Sequence, residues 1–74
     1  MNNDLDDWDD ENAHELYITA SDSSSQRERT KAIRGLGKLA RNGSSNAGYA
    51  LRLIARSSRS SSDQELAAEE LSKQ

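Results

Sequence analysis

Residues 26–42, QRERTKAIRGLGKLARN, decide the fold. At about 100° per residue, Arg27, Lys31, Arg34, Lys38 and Arg41 line up in one narrow stripe, while Ala32, Ile33, Leu36, Leu39 and Ala40 fall opposite. The run is therefore an amphipathic helix with a core face and a cationic face. Its ends are marked as well. Ser25 with Glu28 three residues later fits a capping box, in which hydroxyl and carboxylate each satisfy an orphan backbone donor. Asn42 and Gly43 supply the stop, because glycine enters the left-handed region without a side-chain clash.

Downstream the pattern recurs twice. A helix over 46–57 places Arg52 and Arg56 in a stripe, which Arg59 just beyond its end extends, with Ala47, Ala50, Leu51 and Ile54 behind it, and Tyr49 and Leu53 widen the apolar side. A helix over 63–73, opened by Ser62 with Glu65, buries Leu66, Ala67 and Leu71 and is acidic where the other two are basic. There is no proline and no alternating β-branched run, so strands have no support. Upstream, residues 1–11 are almost entirely water-seeking and read as disordered when free, followed by a short helix over 13–20 that Asn12 and Glu15 would cap. Together these readings predict an all-α fold: an acidic, mostly disordered N-terminal arm at 1–22, then a three-helix hairpin or bundle at 23–74.

Sliding the chain by 35 residues lays Ser25 on Ser60, Ala32 on Ala67, Leu36 on Leu71 and Lys38 on Lys73, an internal repeat of the first and third helices. The segments AIRGLGKLARNG (32–43), AGYALRLIARSS (47–58) and DQELAAEELSK (63–73) resemble helices of a HEAT-like repeat array, over about residues 26–74. That resemblance implies an open helical-hairpin scaffold that binds other macromolecules and performs no chemistry. The chain departs from the pattern in lacking the usual helix-opening proline and in offering only one and a half repeats.

The formal net charge of -3 hides opposed segments. Residues 1–15 carry Asp4, Asp6, Asp7, Asp9, Asp10, Glu11 and Glu15 with no cation, and residues 26–59 carry nine cations against Glu28 alone. Such asymmetry points to a charged partner or to an arm folding onto its own domain. The absence of cysteine makes a reducing cytoplasm the expected address, and no stretch resembles a signal peptide or a membrane span. In 74 residues the chain has eight Leu, three Ile and no Val or Phe, so the core is small and is expected to be completed by a partner or a second copy of the chain.

Chemistry finds little footing. Gly35, Gly37 and Ala40 spell G-x-G-x-x-A, yet they lie inside a helix with no strand before them, so they read as small residues for close helix packing. The aspartates at 4–10 lack the glycine of a calcium loop, and His14, the only imidazole, has no cysteine to share a metal with. Twelve serines are present, but none has a base nearby that a third group could orient. No catalytic residue, metal ligand or cofactor is assigned.

The reading is therefore a non-enzymatic protein-interaction module, a small adaptor or inhibitor. Its binding residues are Arg27, Lys31, Arg34, Lys38 and Arg41 on the first long helix, Arg52 and Arg56 on the second, and Leu5, Trp8, Asp9 and Asp10 in the arm. Trp8 among aspartates has the form of a linear motif that seats an apolar anchor in a groove while carboxylates meet a basic rim; packing on its own helices is the competing reading. The alternative is a nucleic-acid-binding regulator. Leu36 to Ile54 has the outline of a helix-turn-helix, with the acidic arm as an electrostatic gate.

Overall fold

The computed structural model describes the backbone of residues 2–73 and the side chains of residues 12–73. Four helices follow one another: α1 (Asn2–Asp22), α2 (Gln26–Arg41), α3 (Ser45–Ser57) and α4 (Ser61–Ser72). The described residues are all-helical and contain no strand. α2 and α3 form the central pair. Each also packs against both α1 and α4, and among the described residues the backbones of α1 and α4 do not come close to each other.

The seam between α2 and α3 is apolar. Ile33 and Leu36 meet Leu51 with no solvent exposure, and Ala32, Ala47, Ala50 and Ile54 fill the space around them. Burial of each of the Ile and Leu side chains stabilises the fold by about 1.5–3 kcal/mol. This is the seam that the spacing in 26–42 and 46–57 predicts.

The bundle holds one helix more than the three expected at 23–74. The short helix placed at 13–20 is the inner part of α1, and the arm over 12–22 is helical and packed. The physical reason is its spacing. Ala13, Leu16, Tyr17 and Ala20 recur at i, i+3, i+4 and i+7; Ala13 and Ala20 are buried, and Leu16 and Tyr17 pack against the core. Two small and two large side chains make a seam that the acidic composition upstream obscures.

Loop chemistry sets where the helices begin. Ser25 caps α2, its Oγ accepting from Glu28 N at 3.3 Å, and Ser25 N in turn donates to Ser23 Oγ at 3.1 Å. At α4 the cap is Ser60 rather than the expected Ser62: Ser60 Oγ accepts from Asp63 N at 3.4 Å, and Ser60 N donates to Ser58 Oγ at 3.2 Å. Beginning the helix there puts Asp63 in the first turn, where a carboxylate is favoured by the helix dipole. Between α2 and α3, Gly43 takes φ 103°, so Ser44 N reaches Leu39 O at 3.0 Å while Ser44 Oγ caps α3 from Ala47 N at 3.2 Å.

Candidate interaction surfaces

α2 carries six cations, and its packing divides them. On the edge that meets α4, Arg29 Nε donates to Asp63 Oδ2 at 2.9 Å, and Gln26 Nε2 donates to Asp63 Oδ1 at 2.8 Å. Arg29 also reaches Ser23 O at 2.8 Å and Gln26 Oε1 at 2.9 Å. At the other end of that edge, Arg41 Nη1 donates to Glu70 Oε1 at 2.9 Å, and Lys73 Nζ lies 3.4 Å from Glu70 Oε2. Asp63 and Glu70 are only 1% and 3% exposed. Burying a carboxylate is costly unless it is paired and hydrogen-bonded, as both are here.

Gly37 makes the second clamp fit. A Cβ on Gly37 would collide with the Glu70 carboxylate, so the missing side chain is the space in which Glu70 lies. Gly35 serves α1 in the same way, since its Cβ would stand 3.1 Å from Leu16 Cδ1. Both glycines are packing glycines, as their position inside a helix implies.

Across α2 from this edge, Arg27, Lys31, Arg34 and Lys38 are exposed and pair with no described residue. They form a row roughly 16 Å long at about 1.5 Å rise per residue. Arg41 leaves the row in part, because its guanidinium holds Glu70. Arg52 and Arg56 are exposed on α3. Since α2 and α3 face each other through their buried seams, the two sets of cations project from opposite sides of the central pair. The sequence-predicted cations thus make two surfaces. The side chains of Leu5, Trp8, Asp9 and Asp10 lie outside the described residues.

One feature was not predicted from the sequence. A groove runs between α1 and α3, with a space of about 370 Å³ lined by Ala13, Tyr17, Tyr49, Ala50 and Leu53 together with His14 and Asn46. Tyr17 and Leu53 also line a second space, of about 560 Å³, that continues to the serines and Arg59 of the α3–α4 loop. Tyr49 stands 59% exposed at its lip. The available signal was the breadth of the apolar arc on 46–57, wider than one neighbouring helix needs.

Among the described residues no group of three His, Cys, Asp or Glu could hold a metal ion, and no helix is long and apolar enough to cross a membrane. No family model, no curated protein and no solved structure matches the chain.

Proposed function

We propose that the chain is a non-enzymatic protein-interaction module, an adaptor or inhibitor built on two stacked helical hairpins of HEAT-like kind. The observation that carries the reading is the exposed row of Arg27, Lys31, Arg34 and Lys38, four cations on one rigid helix with no described carboxylate opposite them. Fixed charges of one sign on a rigid face favour a partner of the opposite sign and speed its arrival. The expected partner surface is acidic protein.

The hairpin reading is supported by repetition in the loops. Ser23 and Ser58 play one part, Ser25 and Ser60 another: each first serine accepts from the backbone N of the second, and each second serine accepts from the backbone N three residues on. The carbonyl of each first serine also accepts a side-chain bond, from Arg29 in one loop and Gln64 in the other. All three bonds recur at the 35-residue offset. In the packed seams the offset slips to 34, so that Ala13, Leu16, Tyr17 and Ala20 correspond to Ala47, Ala50, Leu51 and Ile54. Stacked repeats of this type offer extended faces for binding other macromolecules.

Affinity capture with the wild-type chain and with the R27E/K31E/R34E/K38E variant, before and after nuclease treatment, tests the proposal. Protein that is retained by the wild type, lost with the variant and indifferent to nuclease supports it. Equal capture by both chains contradicts it. Loss of all capture on nuclease treatment favours the second reading, a nucleic-acid binder, for which the exposed Arg52 and Arg56 on α3 speak.

A further inference from the structure

The groove between α1 and α3 combines two chemistries that the α2 row does not. Its floor is apolar, with Ala13, Tyr17, Ala50 and Leu53, and the half-open ring of Tyr49 forms one lip. Beside that lip Arg52 stands three residues from Tyr49, and Arg56 three from Leu53, so a row of exposed guanidiniums borders the apolar strip. Arg59 lines the far end. The carboxylates there are Asp63, held by Arg29 and Gln26, and Asp22 at the C-terminal end of α1. The groove suits a segment that brings apolar anchors and negative charge together.

The chain contains one such segment. Residues 2–11 carry Leu5 and Trp8, three residues apart, among six carboxylates and no cation. Within its own chain the backbone of that segment continues α1 (Asn2–Asp22), the same helix that walls the groove at Ala13, His14 and Tyr17, and so runs on along the helix instead of turning back across the groove. We infer that the acidic segment 2–11 of one copy docks in the α1–α3 groove of a second copy, with Trp8 and Leu5 on the apolar floor and the aspartates against Arg52, Arg56 and Arg59. The exchange is reciprocal and closes as a two-fold dimer with two arm-to-groove contacts. An anchor aromatic in an apolar pocket with a charged rim is the usual form of a small, energetically concentrated contact. It also gives the small core a larger apolar surface to close on. The inference goes beyond the interaction reading and does not depend on the α2 row.

Trp8 is the chain's only tryptophan, so its emission reports the contact directly. The experiment follows full-length protein from about 1 to 500 μM by intrinsic fluorescence and by sedimentation equilibrium, at low salt. The expected result is a blue shift of emission that rises in step with conversion from monomer to dimer mass. In R52Q/R56Q the dimer dissociation constant should rise at least fivefold, and in Tyr49→Ala at least threefold. K31Q/R34Q removes the same two charges from the α2 row and should leave the constant within twofold. A monomer with unchanged emission across the range overturns the inference. So does blue-shifted emission in a monomer at every concentration, which is the arm packed on its own chain, and so does association that responds equally to both charge variants. None of these outcomes bears on capture of protein by the α2 row, so the two proposals fail separately.

Discussion

On the edge of α2 that meets α4, Arg29 and Arg41 close on Asp63 and Glu70 at 2.9 Å each, whereas across the helix Arg27, Lys31, Arg34 and Lys38 meet no described carboxylate. The two sets share residue type and helix, and differ in what the neighbouring helix brings to them. α4 presents Asp63, Ala67 and Glu70 at i, i+4 and i+7, which is the spacing of a core seam with carboxylates at both ends. It adds two buried carboxylates to the apolar contact of Ala67, where α3 docks through the large side chains Ile33, Leu36, Leu51 and Ile54. A cation on an amphipathic helix is thus either a structural clamp or a free surface charge, and position against the neighbour decides which.

Removing a clamp from the buried side should give the largest effect. Asp63→Ala leaves Arg29, itself 19% exposed, without its carboxylate, and should lower unfolding free energy by about 3 kcal/mol. Urea unfolding followed by circular dichroism measures it. A loss below about 1 kcal/mol would mean that Gln26, Ser23 and water satisfy Arg29 unaided.

The difference between the two edges was only partly legible in the sequence. The stripe Arg27, Lys31, Arg34, Lys38 and Arg41 and the opposing apolar face follow from spacing alone, and the structure keeps them as drawn except at Arg41. Arg29 falls outside the stripe, near the core face, and that displacement was the one local sign of its role. Asp63 and Glu70 gave a weaker sign, because a carboxylate on an amphipathic helix reads by default as solvated. Nothing in one strand of sequence says that two buried acids will find two cations about 30 residues away. α1 was half legible for a different reason: Ala13 and Ala20 bury fully but contribute little to an apolar pattern, so the seam looked shorter than it is.

The glycines sharpen the same contrast at smaller scale. Gly37→Ala must push aside a Glu70 whose Cδ would lie 2.7 Å from the new Cβ, and should cost about 1–2 kcal/mol, although alanine alone favours a helix by about 1 kcal/mol. Gly48 in α3 has nothing within 4 Å of an added Cβ. Gly48→Ala should therefore stabilise by about 0.5–1 kcal/mol. If the two substitutions shift the unfolding midpoint in the same direction, Gly37 is not the space that seats Glu70.

Caps come last. Ser60→Ala removes the hydroxyl that accepts from Asp63 N and should cost about 1 kcal/mol, while Ser62→Ala, exposed within the first turn of α4, should stay within about 0.5 kcal/mol of wild type. A larger loss at Ser62 would move the start of α4 back to where the sequence alone places it.

The most direct test pits the two sets of cations against each other at equal change of charge. Urea unfolding of R29Q/R41Q should show a loss of at least about 2 kcal/mol, because buried Asp63 loses its cation and buried Glu70 keeps only Lys73, and R27Q/K38Q should remain within about 0.5 kcal/mol of wild type. Equal losses in the two double variants would contradict the account, since the position of a cation against α4 would then decide nothing.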